Sequence, residues 1–421
     1  MNERSVSVNG ISIYSLTNPN LRSFCLSLYV RAGSIFEDLS NNGISHLFEH
    51  VVFRNIKNKY ENFYELLAMH GLCFQGSTYK KFVSFTIDGP QHEFDFAIEI
   101  LCGLFDEIKL TSHDFNNEKG RIKAEIREKD RRSSLDFYFD SIVWKNSEVE
   151  KIVLGYCKTV DRVSVKKINE FRQKVLSAGN CFVYATGNIS DENLDALNKK
   201  ISKLDISQSN PGFTNTVTVN NEFFHREKKI WIKNNYWHYI QIGFDVDCSK
   251  YPGGVYDLLY ALLFNGDKAL VYNYLSEDNP IIYSYDSTFE QYDNVGNINF
   301  SFEVDRNKIE DVFKTVVELL NAAKDGRFNF EANLNYEMFN WELDLDNPDN
   351  LNWNIAYYNH ILKTQPIDYS DEFYGRFRVT KEQIIDAAKY IFRRCNMTVA
   401  VKGDRKKINA EAIEKILESL D

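Results

Sequence analysis

The sequence predicts an α+β fold: two tandem homologous α/β sandwich domains, each a mixed sheet covered by helices. Three observations carry this. Stretches with apolar residues at every second position alternate with stretches at helical spacing, which is the pattern of layered sheets and helices, not of a bundle. The run Phe182-Val183-Tyr184-Ala185-Thr186-Gly187-Asn188 reads as a strand ending in a turn. It is echoed by Thr398-Val399-Ala400-Val401-Lys402-Gly403-Asp404, with the two glycines 216 residues apart, a duplication on the scale of a domain. Finally, 421 residues are too many for one ordinary core and fit two domains of roughly 200 residues each. The division expected is 1–205, a linker at 206–222 around the polar run Ser207-Gln208-Ser209-Asn210-Pro211-Gly212, and 223–421.

The elements follow in order. Residues 5–15 read as a strand through Val6, Val8, Ile11, Ile13 and Tyr14, and 22–32 as a second through Phe24, Leu26, Leu28 and Val30. Arg31-Ala32-Gly33-Ser34 breaks the chain before a helix at about 42–53, with Asn41 or Asn42 as its N-cap. A short helix is expected at 61–70, a strand at 82–88, and an amphipathic helix through Phe94, Ala97, Ile98, Leu101 and Phe105. A charged helix runs from Asp114 to about Arg132, and another spans 163–176. In the second half, 228–246 is rich in strand formers and 254–264 is helical. Strands then fall at about 281–289 and 297–304, and helices at 306–324, 334–344, 350–362 and 380–393. The helix at 254–264 occupies the place of the 42–53 helix but has neither His nor Glu, so the second copy has no metal site.

Composition narrows the function. A net charge of −10 lacks the basic footprint that nucleic acid or an anionic membrane requires, while it is compatible with a basic peptide. Seven cysteines, odd in number and without Cys-x-x-Cys spacing, read as free thiols in a reducing compartment. The opening Met1-Asn2-Glu3-Arg4-Ser5-Val6 has no apolar core of a leader, and no apolar run reaches the ~18–20 residues of a spanning helix. The expectation is a soluble, cytoplasmic protein.

One stretch carries the chemistry. In Gly43 to Phe53, Ile44, Leu47, Phe48, Val51 and Val52 make one apolar stripe. His46, Glu49 and His50, at i, i+3 and i+4, emerge together on the adjacent stripe. Two imidazoles one turn apart can share a Zn²⁺, and the carboxylate between them can reach a water there. This is the His-x-x-Glu-His form of the zinc-protease helix. On the charged helix, Glu118 and Glu125 lie seven apart on one face with Ile122 between them. Either could complete a His₂Glu set, which leaves a fourth position open; spacing does not choose between them.

With these residues the chain resembles the pitrilysin-type (inverzincin) zinc metallopeptidases, in the branch of the mitochondrial processing peptidase and its bacterial relatives. The resemblance covers Ala32-Gly33-Ser34, Gly43 through Phe53, Glu118 and Glu125, Gly155 through Phe171, and both strand-Gly endings. The 74 residues between His50 and Glu125 look like the family's spacing to its third ligand. The resemblance implies one Zn²⁺ per chain on His46, His50 and Glu125, Glu49 as general base, and Glu118 assisting the site. It also implies that Gln75-Gly76 stands where relatives carry an Asn-Ala pair beside the substrate. In the second domain Tyr283 keeps a substrate-facing tyrosine, but Ser276 holds the place of its companion Arg.

The function expected is therefore a zinc endopeptidase acting on short or unfolded peptides, such as precursor or leader peptides. It forms half of a clamshell chamber as the zinc subunit of a heterodimer with a homologous Arg/Tyr-bearing chain, or else a homodimer. The alternative is an inactive peptide-binding or scaffold subunit of the same fold.

Overall fold

The computed structural model describes residues 3–128, 134–213, 217–227, 230–362 and 378–421. Its contacts divide the chain into two units. The first comprises 1–130, 151–214 and 342–370, and the second 131–150, 215–341 and 371–421. Each half of the sequence thus gives one short segment to the unit built mainly by the other half.

In the first unit, β1 (Arg4–Val8), β2 (Ile11–Thr17) and β3 (Ser23–Val30) lead into α1 (Ile44–Lys57) and α2 (Phe63–Met69). Then come β4 (Cys73–Thr78), β5 (Val83–Pro90), α3 (Phe94–Gly103) and α4 (Ser112–Glu128). After α5 (Leu135–Val143), which belongs to the second unit, α6 (Cys157–Asp161), α7 (Val165–Val175), β6 (Cys181–Gly187) and α8 (Asp191–Ile201) complete it. The second unit holds β7 (Ile230–Asn234), β8 (Tyr239–Asp247), α9 (Gly253–Phe264), the single turn α10 (Leu270–Tyr272), β9 (Tyr285–Tyr292) and β10 (Val295–Glu303). Next are α11 (Ile309–Lys324), α12 (Phe330–Asp344), α13 (Pro348–Ile355), which serves the first unit, α14 (Lys381–Ile391), β11 (Met397–Gly403) and α15 (Ala410–Leu417).

The two sheets repeat one topology. The first has the order β1-β2-β6-β3-β5-β4 and the second β7-β11-β8-β10-β9. In both, the strand ending in Gly187 or Gly403 runs parallel to one neighbour and antiparallel to the other, and the remaining pairs are antiparallel. Apart from the extra β1, the sheets match strand for strand, and α1 and α9 follow corresponding strands. The mixed sheets and covering helices are those the sequence predicts.

Local expectations change in several places. The single strand at 5–15 is a hairpin, because Asn9 and Gly10 take φ of 52° and 76°, a left-handed pair that reverses the chain. The strand expected from 281 begins at Tyr285. The charged helix is described to Glu128, and its expected end at 132 lies outside the described residues, as do residues 228–229 of the β-rich stretch.

Strand alternation in the first sheet separates two faces. Leu26, Leu28, Phe85, Ile87 and Val183 join the core under the helices. The other face carries Cys25, Ser27, Tyr29, Thr86, Asp88 and Thr186, and α13 docks there by hydrogen bonds. Asn352 Nδ2 donates to Tyr184 O at 3.0 Å, Tyr29 OH donates to Asn352 Oδ1 at 2.9 Å, and Thr186 Oγ1 donates to Pro348 O at 2.7 Å. In the second unit, α5 packs on β8 and β11. Its Phe139 is 1% exposed, and a Cβ added at Gly243 would lie 2.5 Å from the Phe139 ring, so the ring rests against bare backbone. The Trp144 indole donates to Glu290 at 2.8 Å.

Two outcomes follow. Phe139→Ala removes an anchor of the exchanged helix and is expected to lower the unfolding free energy by about 3–5 kcal/mol in urea titrations. On the polar face, burial and the neighbouring Asp349 raise the Asp88 carboxyl to about 6, against a donated Cys25 hydrogen bond. The folded state therefore holds this proton more tightly than the unfolded chain. Its stabilising contribution is present below the unfolded value near ~4 and is lost as pH rises through 6. Asp88→Asn should remove that loss, leaving the variant more stable than the parent at pH 8 by up to about 2 kcal/mol in pH-stepped urea unfolding.

Candidate active site

Helix α1 is set by its buried stripe. Ile44, Leu47, Phe48, Val51 and Val52 are each at most 2% exposed. Neither Asn41 nor Asn42 caps it as expected. The N-cap is Gly43, at φ 95°, where a Cβ would come within 2.8 Å of Gly155 Cα. The free amides go instead to Glu37, buried at 4% exposure. Glu37 Oε2 accepts from Gly43 N at 2.7 Å and Asn42 Nδ2 at 2.8 Å, and Oε1 accepts from Ser45 N at 2.8 Å. A carboxylate can take all three donors and sits at the positive end of the helix dipole, which one Asn amide cannot match. Burial nevertheless keeps the Glu37 carboxyl above its ordinary value.

Helices α1 and α4 pack together, and their polar side chains converge. His46 Nε2 and His50 Nε2 are 3.2 Å apart. Glu125 lies across them, with Oε2 3.6 Å from His46 Nε2 and Oε1 3.6 Å from His50 Nε2. Glu118 faces the other nitrogen of His50, with Oε2 3.6 Å from Nδ1. Arg54, one and two turns beyond the histidines, reaches Glu118 Oε1 at 4.0 Å and donates to Asp114 at 2.5 Å. Burial pulls the His50 pKa down, but the Glu118, Glu49 and Glu125 carboxylates outweigh it, so it stands above its ordinary value.

Glu49 turns towards β4. Thr78 Oγ1 donates to its Oε2 at 2.9 Å, and burial, chiefly, holds its carboxyl above the usual range. A Cβ on Gly76 would stand 3.0 Å from both Cγ and Oε1 of Glu49, so β4 approaches the carboxylate through a residue without a side chain.

The donor set suits zinc. Four-coordinate zinc with bonds of about 2.0–2.2 Å holds its ligands roughly 3.3–3.6 Å apart. The two imidazoles and Glu125 lie 3.2–3.6 Å from one another. A second Cys/Asp group, Cys25, Asp88 and Asp349, lies on the sheet's other face.

Of the residues singled out in the sequence, His46, Glu49, His50, Gly76, Glu118 and Glu125 come together in the first unit. The Gln75 side chain points to the opposite face of β4, where it lines a groove with Ser77 and Trp353. Tyr283 belongs to the second unit and is 97% exposed. Sequence reasoning missed Glu37, Thr78 and Arg54. Arg54 was accessible, since 46, 50 and 54 continue one stripe towards the acidic α4; Glu37 acts across a loop and leaves no periodic trace. Glu37→Ala strands buried amides and should cost about 2–3 kcal/mol in chemical denaturation, whereas Glu37→Gln, which keeps an acceptor, should cost less.

Residues 13–155 match the insulinase domain of peptidase family M16, and residues 162–332 match the peptidase M16 inactive domain. The uncharacterized zinc protease YmxG of Bacillus subtilis is 21% identical over 332 residues, covering 77% of this chain and 79% of that protein. The mitochondrial-processing peptidase subunit beta of Saccharomyces cerevisiae is 23% identical over 190 residues, 44% of this chain and 41% of that protein. A protease from Helicobacter pylori has the same fold, with a TM-score of 0.82 at 17% identity over 96% of this chain and 99% of that one. So does a peptidase M16 inactive domain from Pseudomonas fluorescens, with a TM-score of 0.81 at 13% identity over 96% of this chain and 98% of that one. With the two M16 models together matching residues 13–155 and 162–332, the chain belongs to the insulinase family of peptidases, family M16.

Proposed function

We propose that the chain is a zinc-dependent endopeptidase acting on short or unfolded peptides, precursor or leader peptides among them. The observation that carries this is the convergence of two imidazoles and a carboxylate beside a second, buried carboxylate. His46, His50 and Glu125 hold one Zn²⁺ per chain. A zinc ion there supplies Lewis-acid polarisation of the scissile carbonyl and makes water more acidic. Glu49 is the general base: it takes the proton of the attacking water and returns it to the leaving amine. Burial raises its pKa, which makes the carboxylate a better acceptor of that proton, and Thr78 holds one of its oxygens in place. Glu118 faces His50 Nδ1 and fixes that ring's orientation and tautomer, with Arg54 and Arg121 beside it. The peptide joins the sheet as an added strand along β4, next to Gln75 and Gly76.

The chain works with a homologous partner that supplies the Arg missing at Ser276, Tyr283 facing the substrate, and the two enclose a chamber; a homodimer is the second arrangement. The net charge of −10 argues against a nucleic-acid partner. Among the described residues no helix is long and apolar enough to cross a membrane, and the free cysteines fit a cytoplasmic setting.

Glu49→Gln is expected to lower peptide cleavage by at least about a thousandfold while zinc content by atomic absorption stays near one per chain. His46→Ala and Glu125→Ala should lose the metal, and a chelator should abolish activity until zinc is restored. A chain that binds no zinc and cleaves nothing, alone or with a homologous partner, returns the scaffold alternative.

A further inference from the structure

In the first unit, the end of helix α7 and the segment 205–211 border a pocket of about 630 Å³. Arg172 lines it and is 8% exposed. Its Nη1 donates to Phe105 O at 2.5 Å and its Nε to Asn169 Oδ1 at 3.3 Å, both uncharged oxygens. Among the described residues Nη2 has no acceptor, and no carboxylate pairs with the guanidinium. A buried arginine calls for an anionic partner. The acidic groups that act on this one do so from further off. Asp106 is paired with Lys59 and Glu107 with Lys109, while Asp205 lines the pocket from an exposed position. Burial pulls the Arg172 pKa down in spite of them.

The rest of the lining offers donors. Lys174, exposed, stands over the Phe213 ring at 4.7 Å and meets no carboxylate among the described residues. Asn210 Oδ1 accepts from Gly212 N at 2.9 Å, and Ser207 Oγ accepts from Ser209 N at 3.2 Å. With those oxygens engaged, the Asn210 amide nitrogen and the Ser207 hydroxyl hydrogen are left to donate. The last carbonyls of α7, the negative end of its dipole, are taken as well. Arg172 O accepts from Leu176 N at 2.8 Å, Lys174 O from Ser177 Oγ at 2.9 Å, and Val175 O from Asn180 Nδ2 at 2.8 Å.

Two cations, one with a guanidinium nitrogen that has no acceptor, and two neutral donors around one cavity suit a tetrahedral oxyanion. We propose that this pocket binds a phosphate group, free or carried by a small phosphorylated molecule, with Arg172 and Lys174 as its cationic contacts. No residue of the candidate active site takes part, so the proposal does not rest on the peptidase reading.

The test is isothermal titration calorimetry of the full chain at low ionic strength, with inorganic phosphate and glycerol 3-phosphate as probes. Arg172→Ala removes a buried donor to Phe105 O and confounds binding with folding, so exposed positions carry the test. One phosphate should bind per chain. Lys174→Glu should weaken it at least about tenfold, and Asp205→Asn, which removes the pocket's carboxylate, should tighten it about threefold. Tighter binding of glycerol 3-phosphate than of inorganic phosphate assigns the site to a phosphorylated molecule. Equal or weaker binding of the ester assigns it to free phosphate, and either result upholds the site. No binding of either probe at about 10 mM, affinity unchanged in Lys174→Glu, as for phosphate held at a metal centre, or no gain in Asp205→Asn overturns it.

Discussion

The site depends on the packing of an acidic helix against a histidine-bearing one. Helix α4 brings Glu118 and Glu125 onto the stripe of α1 that carries His46 and His50, while Glu49 lies on the same helix one residue before His50. Three carboxylates in a partly buried cleft cost free energy unless cationic charge offsets them. Arg54 supplies part of that offset to Glu118 at 4.0 Å, and Arg121 more at 3.4 Å. Neither contacts Glu125 or Glu49 in this way. The raised pKa of His50 reports the same excess of negative charge. A divalent cation held by His46, His50 and Glu125 would relieve it. The electrostatics and the donor distances therefore ask for the same occupant.

The duplication explains why such a site can exist in one unit and not in the other. Both units use the same strand order and the same helix after the corresponding strand, so the scaffold does not encode the metal. At the place of α1, the second unit has α9, with Leu258, Leu259, Leu262 and Leu263 buried. That helix is apolar on more than one face and packs as core. The chemistry is added to the fold by side chains on one helix stripe and by an acidic partner helix. The exchanged helices α5 and α13 show the opposite tendency. They carry structural load for units built mostly from the other half of the sequence, through Phe139 in one case and Asn352 in the other.

What could be read in the sequence was what has a period. The α1 stripe, the alternation in β3 and β5 and the recurring strand-Gly ending are all local repeats, and each led to the right element. Helix α5 was missed although Leu135, Phe139 and Val143 recur at i, i+4 and i+8 behind a Ser134 cap, because its aromatic residues also fit a strand. Helix α8 was passed over despite the Ser190–Asn193 capping box. Contacts made across loops left no trace: nothing in the spacing of Glu37 announces that it caps α1. The two glutamates of α4 could not be told apart by spacing, since both lie on one face. They differ in which ring nitrogens they meet, and that is fixed by how α4 docks on α1.

Register along β4 is the last constraint, and it joins the two faces of the site. Gly76 pairs with Phe85 and Thr78 with Val83, while Gln75 pairs with Thr86 and Ser77 with Ser84. Phe85 and Val83 belong to the core, so the residues opposite them must face the helices, and Gly76 and Thr78 thereby meet Glu49. The hydroxylic partners Thr86 and Ser84 hold Gln75 and Ser77 on the polar face. A slip of one residue would put a Gln or Ser side chain against the Glu49 carboxylate and bury it among apolar neighbours. The turn that closes β4 onto β5, in which Tyr79 N donates to Phe82 O at 2.8 Å, resists that slip. The room left for the Glu49 carboxylate therefore rests on the register of β4 against β5.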